Sequence, residues 1–353
     1  MTAGATDSLR AAEERSAAIE ARIASRPDEF RMLTGDRPTG ALHIGHYFGS
    51  IQNRLKLQAS GIEIIQLVAD YQVITDREVG GDIRGNVRNL LLDYLAAGLD
   101  PERATVFTHS AVPALNQLLL PFLSLVSVAE LQRNPTVKDE AASAGITSLS
   151  GLMLTYPVHQ AADILFCKAN VVPVGKDQLP HIEQTRVVAR RFNERYGATF
   201  PEPGALLSEG AHVLGTDGTK MSKSKGNVVE LKMTADETAK KLKGAKTDSD
   251  RHITYDPVGR PEVANLLKVA AMCEGGDPAE IADQIGDGGG GGLKKRVTEA
   301  VNTYFAPLRE RRAELEADPA LVDRILAEGN ARANEIADAT LAEVREKMGM
   351  AYP

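Results

Sequence analysis

Cysteine is scarce in this 353-residue chain: Cys167 and Cys273 are the only two, and each stands alone. That excludes a disulfide framework and a cysteine-built zinc site, and it fits a reducing compartment, so a cytoplasmic location is expected. Long apolar runs are missing as well. No stretch reaches the roughly 18 residues that a membrane-crossing helix needs. Met1–Arg10 is small and polar, without the apolar centre of a secretion signal. An excess of positive charge is also lacking, since 41 Lys and Arg stand against 48 Asp and Glu for a net charge of −7. A nucleic-acid partner cannot be read from that total. Phosphate contacts are local, however, and Lys220, Lys223, Lys225, Lys232, Lys240, Lys241, Lys243 and Lys246 gather positive charge into one stretch. A solvated helical face is the plain alternative for such a run. What is present, 43% hydrophobic and 25% charged residues, is ordinary for a globular chain, and the length suits two domains.

Along the chain, Ser8–Ser25 is rich in Ala, Glu and Arg, with helical propensity but little apolar content. Residues 1–28 therefore read as a peripheral helix or tail. Phe30–Leu33 is a short apolar run closed by Thr34 and Gly35, a strand entering a turn, and from Ile44 onward Phe48, Ile51 and Leu55 recur at helical spacing. Ile62–Ala69, Thr105–Thr108 and Val171–Val174 read as buried strands. Helices are expected over Val87–Ala97, Leu115–Leu131 (interrupted by Pro121), Ala161–Leu165 and Pro180–Tyr196. Such alternation predicts an α/β fold over 29–229, a parallel sheet with helices on both faces. Beyond residue 230 the strand-like runs vanish. Helices over 233–243, 261–273, 293–316 and 320–348 predict a helical C-terminal region, 230–353. Within it, Gly288–Gly292 is expected to form a flexible loop, because ordering glycine is costly.

Two motifs carry chemistry. The first, Arg37-Pro38-Thr39-Gly40 followed by His43-Ile44-Gly45-His46, sits where a strand gives way to a helix. Open parallel sheets bind ligands beyond the carboxyl ends of their strands. Gly40 and Gly45 remove side chains where an adenine ring or phosphate must approach backbone, and the helix start aims N–H groups and a positive dipole at an anion. His43 and His46 can donate to phosphate oxygens; the plain alternative is a polar turn that caps a helix. The second motif, Lys220-Met221-Ser222-Lys223-Ser224, lies among Gly215, Gly218 and Gly226 and is expected to be a loop. Two lysines there suit a reaction in which charge builds on a leaving pyrophosphate, whereas the alternative is a basic surface loop.

Together and in this order, the motifs resemble those of class I aminoacyl-tRNA synthetases. From about Arg31 to Met348 the chain resembles the tryptophanyl-tRNA synthetase family. The likeness extends to Gly151–Pro157 with Ala161-Ala162-Asp163-Ile164-Leu165, and to Val172–Gln178 with His181, Thr185, Arg186 and Arg191-Phe192-Asn193. It implies a Rossmann-type catalytic domain (29–229, lysine loop included), a helical anticodon-binding region (230–353) and a homodimer. It implies activation of L-tryptophan by ATP, followed by transfer to tRNA(Trp). Asp163 would accept the indole N–H, and Gln72 and Gln178 would orient the ammonium or carboxylate. Gly175, Lys176 and Asp177 would lie at the ribose, while Arg37, Pro38, Thr39, Gly45 and Val213 would touch adenine and phosphate. His43, His46, Lys138, Lys220 and Lys223 would meet phosphate charge, with Met221, Ser222 and Ser224 completing the loop. Mg2+ would travel on the phosphates rather than in a protein cage.

A buried carboxylate answered only by a ligand donor rejects analogues without that donor more strongly than shape can. The sequence departs from the family at Gln160, where many members carry Met, at Leu33 for Phe, at Gln72 for His and at Arg37 for Gln, and in the five-glycine run. These departures resemble a divergent second type of the enzyme. A tyrosyl-tRNA synthetase shares the fold and both motifs, but the surroundings of Asp163 and Gln178 look tryptophan-like. A small-molecule adenylyltransferase would not need the helical half, and a tryptophan sensor would not need both motifs intact.

Overall fold

Five short segments of aliphatic residues pair in parallel, namely β1 (Arg31–Asp36), β2 (Glu63–Val68), β3 (Ala104–Thr108), β4 (Val171–Val174) and β5 (Gly204–Leu207). Their order is β3-β2-β1-β4-β5. The computed structural model describes residues 3–75, 81–135, 137, 149–207, 212–223 and 225–352. Side chains alternate between two apolar cores. Met32, Ile64, Val106 and Val171 face one, and Leu33, Ile65, Phe107 and Val172 face the other. Burial on both faces explains why the strands read as continuous apolar runs. Register is in step between β1 and β2 (Thr34 opposite Gln66, Asp36 opposite Val68) and between β2 and β3 (Ile65 opposite Thr105). The order reverses between β1 and β4, which opens a crevice at the carboxyl ends of those two strands.

The longer helices are numbered α1 (Ala3–Ser25), α2 (Gln52–Ser60), α3 (Ile83–Ala97), α4 (Gly151–Leu165), α5 (Leu179–Tyr196), α6 (Ala235–Lys243), α7 (Pro261–Glu274), α8 (Pro278–Ile285), α9 (Gly289–Glu316) and α10 (Leu321–Lys347). Three differ from expectation for identifiable reasons. The N-terminal segment, expected to be a peripheral helix or tail, forms α1, which is docked on the edge strand β5. Ser16 Oγ accepts from the Leu207 N–H at 2.8 Å, and Ile19 fills the space over Gly204. Its buried stripe of Ala12, Ser16 and Ile23 is too small and polar to stand out in the sequence. The helix expected over Leu115–Leu131 is instead three short ones, Pro113–Gln117, Leu119–Leu123 and Val128–Arg133. A capping box between Ser127 and Glu130 starts the third afresh.

The flexible loop expected at Gly288–Gly292 is corrected as well. Gly286–Gly288 makes a tight turn and the remaining glycines form the first turn of α9. Gly289 takes φ +66°, which L residues rarely adopt, and a Cβ on Gly290 would lie 2.8 Å from Thr247 Oγ1. Glycine is thus favoured at Gly289 by its backbone conformation and at Gly290 by the Thr247 side chain packed against it. Beyond residue 230 the structure is helical, but α10 returns to the sheet. Asn330 Oδ1 accepts the Thr108 N–H at 2.9 Å, and any Cβ at Gly329 would collide with Val106 O. Both sheet edges are thus covered, which removes unpaired strand edges from solvent.

Candidate active site

The histidine motif follows β1 and opens a short helix, Ile44–His46, which continues through a widened turn, Tyr47–Ile51, into α2. His43 caps the helix. The His46 N–H donates to His43 Nδ1 and the His43 N–H to His46 Nδ1, both at 3.3 Å, and the rings stack with centroids 3.6 Å apart. With each Nδ1 accepting, the ring proton of each belongs on Nε2. Burial, helped by His46 and Lys223, holds His43 down to about 3. Burial also lowers His46, although the Asp36 carboxylate pulls the other way. Two neutral imidazoles, each with an Nε2–H to donate, therefore stand side by side.

The lysine loop is tied to this motif through backbone. The Ile44 N–H donates to Val229 O at 3.0 Å, and the Leu231 N–H to Leu42 O at 2.9 Å. Asn227 organises the loop from inside. Its Nδ2 donates to Asp217 Oδ1 (2.8 Å) and Lys220 O (3.1 Å), and its Oδ1 accepts from the Ser222 N–H (2.8 Å). A Cβ built on Gly40 would lie 3.0 Å from Lys223 Nζ, and one on Gly45 would lie 3.1 Å from Met221 Sδ. The glycines of one motif are therefore seats for side chains of the other. Lys223 is half-buried, and burial lowers its pKa against the upward pull of Glu230 and Asp93. Lys220 is exposed. Lys138 and Ser224, expected at the phosphates, lie outside the described residues.

Beyond the carboxyl ends of β1 and β4 lies a cavity of about 630 Å³, lined by Asp36, Arg37, Gln72, Asp163, Gly175 and Gln178 among others. Asp163 is 4% exposed on α4, and burial pushes its carboxyl well above the usual range. Its Oδ2 accepts from Gln72 Nε2 at 3.0 Å, whereas Oδ1 accepts no hydrogen bond among the described residues. Gln178 Oε1 lies 3.0 Å from His181 Nδ1, and the other ring nitrogen meets the Tyr156 hydroxyl at 3.0 Å. Gln178 Nε2 donates to Asp177 Oδ2 at 3.1 Å. Asp177 and Lys176 are exposed, the latter with Nζ 2.7 Å from Glu13 Oε1. Pro38 is buried and Thr39 exposed in a turn closed by the Thr39 N–H to Arg37 O bond (2.8 Å), while Val213 is buried.

Asp36 joins the cavity to the histidines. Arg54 and the Tyr94 hydroxyl both bond its carboxylate. Burial alone would raise this group, yet Arg54 and Tyr94 outweigh it and hold the carboxyl at about 2. A smaller recess beside the cavity is lined by Gly49, Ser50 and Asn53 and shares Arg54 and Gly175 with it. The sequence reading missed Asp36 and Arg54, and also His109, Asn116 and His159 around Asp163. Asp36 and His109 each stand at or just past the carboxyl end of a parallel strand, and that position was the available signal.

Residues 25–306 match the model of the family described as tRNA synthetases class I (W and Y). The tryptophan–tRNA ligase of Treponema pallidum (strain Nichols) is 42% identical over 334 residues, which is 91% of this chain and 97% of the relative. That of Streptococcus pyogenes serotype M1 is 42% identical over 337 residues, 91% and 98% of the two chains. Among solved structures, tryptophanyl-tRNA synthetase from Campylobacter jejuni complexed with ADP and tryptophan matches with a TM-score of 0.78 at 32% identity, covering 90% of this chain and 99% of its own. A tyrosyl-tRNA synthetase from Archaeoglobus fulgidus, with a TM-score of 0.62 at 22% identity over 83% and 93% of the chains, shares the fold.

Proposed function

This chain belongs to the tryptophan–tRNA ligases of class I, and from that premise we propose how its cleft performs the two steps of the reaction. In the first, a tryptophan carboxylate oxygen attacks the α-phosphorus of ATP. The bond to the bridging oxygen breaks, and pyrophosphate leaves with the electron pair. The carboxylate is already a nucleophile, so the residues need only position the reactants and stabilise charge. His43 and His46 donate Nε2–H to phosphate oxygens without adding a positive charge of their own. Lys223, seated at Gly40, and Lys220 meet the charge that grows on pyrophosphate, and Lys138 and Ser224 are assigned there too. Arg37, Pro38, Thr39, Gly45, Val213, Met221 and Ser222 line the adenine and phosphate path, with Gly175, Lys176 and Asp177 at the ribose. In the second step a ribose hydroxyl of the terminal tRNA adenosine attacks the adenylate carbonyl, and AMP leaves.

Tryptophan goes to the larger cavity, with its indole N–H on Asp163 and its ammonium and carboxylate oriented by Gln178 and Gln72. Asp163 Oδ1 is the observation that carries this reading: a buried carboxyl oxygen on the cavity wall that accepts no hydrogen bond among the described residues. An unsatisfied buried group costs about 1–3 kcal/mol, and more when charged, so a ring N–H is strongly preferred there. The three histidine and aspartate side chains near one another, His109, His159 and Asp163, are not the hard oxygen set that Mg2+ takes. Mg2+ is assigned to the triphosphate, as part of the substrate. The remaining assignments are a catalytic unit over 29–229, an anticodon-reading unit over 230–353, a homodimer and the cytoplasm.

The test is amino-acid-dependent exchange of labelled pyrophosphate into ATP, with tryptophan and tyrosine side by side, followed by charging of tRNA. Exchange with tryptophan and not tyrosine is expected. Exchange with tyrosine alone would overturn the pocket assignment, and tryptophan binding without any exchange would mark a sensor.

A further inference from the structure

Three glutamines, Gln72, Gln160 and Gln178, stand on the wall of the larger cavity, and the reaction above uses only the first and the last. Gln160 is half-buried on α4, one turn after Tyr156 and one turn before Asp163, so it shares their face of the helix. Neighbouring polar groups on that wall already have protein partners. Asn116 Oδ1 lies 2.9 Å from His159 Nε2, and the Tyr156 hydroxyl lies 3.0 Å from His181 Nε2. The Gln160 carboxamide makes no hydrogen bond among the described residues. An amide on a cavity wall without a protein partner is left for water or a ligand to answer.

A substrate with its ring N–H on Asp163 and its head group at Gln178 runs along α4, because Gln178 is linked to the Tyr156 turn through His181. It passes Gln160 on the way. Gln178 Nε2 donates to Asp177, which turns Oε1 to His181 Nδ1 at 3.0 Å and leaves that oxygen a second lone pair. Gln72 Nε2 lies 2.8 Å from His109 Nδ1 and 3.0 Å from Asp163 Oδ2, so the atom it offers a ligand is its oxygen. An ammonium has three N–H donors and no lone pair. From this we infer that Gln160 is a specificity-determining residue for the α-ammonium of the substrate: its Oε1 accepts the third N–H, beside the oxygens of Gln72 and Gln178. Three neutral amides hold the cation without setting a negative charge beside the carboxylate that must reach the triphosphate. The inference deepens the tryptophan reading of the cavity and rests on it.

The experiment compares Gln160→Met, Gln160→Glu and Gln178→Met with the unaltered chain. Two competitive inhibitors of tryptophan-dependent pyrophosphate exchange are titrated against each. Tryptamine keeps the ammonium and lacks the carboxylate, whereas indole-3-propionate keeps the carboxylate and lacks the ammonium. The ratio of the two inhibition constants is internal to each protein and does not depend on how much of it is folded. Gln160→Met, similar in length and without an amide, is expected to weaken tryptamine about tenfold, the order of one hydrogen bond to a charged group, and to hold indole-3-propionate within about twofold. Gln160→Glu keeps an acceptor and should hold tryptamine within about threefold. The inference is overturned if Gln160→Met leaves tryptamine unchanged, or if Gln160→Glu loses as much tryptamine affinity as Gln160→Met. It is also overturned if Gln160→Met weakens indole-3-propionate as much as tryptamine or more, which would place the amide at the ring or the carboxylate. Gln178→Met separates the two levels. If that variant binds tryptamine unchanged, the placing of the head group at Gln178 falls; if it loses tryptamine while Gln160→Met does not, only the role of Gln160 falls.

Discussion

Removing the guanidinium of Arg312 on α9 should destabilise the protein more than removing its partner's charge. Asp93 on α3 is 0% exposed. It accepts from the Leu42 N–H at 2.9 Å and from Arg312 Nε at 2.7 Å, and burial pushes its carboxyl upward while those two bonds pull it back. In Arg312→Met the carboxylate keeps one backbone N–H in a dry site. Breaking a buried ion pair from one side costs about 3–5 kcal/mol. Asp93→Asn is milder, because Arg312 retains Glu316 and the Asn89 side chain, the latter at 2.9 Å. Combining the two leaves a neutral amide oxygen on the Leu42 N–H, so the double variant should be more stable than Arg312→Met by about 1–3 kcal/mol. Urea midpoints at constant m-value measure all three. Since Leu42 precedes His43, pyrophosphate exchange should fall in the same order as stability. A double variant no more stable than Arg312→Met would show that a stranded charge is not the source of the loss, and would refute the reasoning.

Two further outcomes are expected. Asp36 titrates at about 2 in the folded chain against an ordinary 3.8, so it contributes stability that is present above 3.8 and lost as pH falls through 2. The shift amounts to about 2 kcal/mol, and the stability gap between the unaltered chain and Asp36→Asn should narrow by that much from pH 5 to pH 2 in acid-unfolding curves; a constant gap would contradict it. Lys223→Ala should lower kcat for exchange by about 10²–10³ while leaving the tryptophan KM within about threefold. A raised ATP KM with kcat intact would instead mean that the ammonium binds ground-state ATP.

The parallel sheet could be read from the sequence because four of its strands hold short apolar runs (Met32–Leu33, Ile64–Val68 with Gln66, Val106–Phe107 and Val171–Val174 with Pro173), and such runs need no partner to be recognised. Gly204–Leu207 could not. It holds no β-branched residue and is a strand only because Val171–Val174 offers it an edge, with Pro173 opposite Leu206. The docking of α1 was hidden for a related reason, since Ser16 contributes through one hydroxyl to one strand N–H. The two nucleotide motifs are each local in sequence, and so they were visible. Asp93 and Arg312, 219 positions apart, become partners only through the fold.

The polar groups of Gln72 and those around Asp163 form one physical unit. Gln72 spans two acceptors at once, His109 Nδ1 at 2.8 Å and Asp163 Oδ2 at 3.0 Å, and it does so from a single nitrogen. An amide nitrogen carries the two hydrogens that this requires, and an imidazole nitrogen does not. A histidine at this position would have one hydrogen per ring nitrogen and would leave one acceptor unanswered. The Gln72 amide thus suits a bare Nδ1 on His109, and the bare Nδ1 in turn follows from Asn116 Oδ1 accepting both imidazoles. Three stretches of chain thus share one network, in which donation runs outward from Gln72 Nε2, through His109 and Asn116 to the Val112 carbonyl on one side and to the Asp163 carboxyl on the other. Reversing any single link would place two acceptors or two hydrogens face to face in a buried site, at the cost of an unmade hydrogen bond. Substitutions in this network are therefore expected to be coupled: a change at Gln72 alone should be tolerated less well than one that also resets His109.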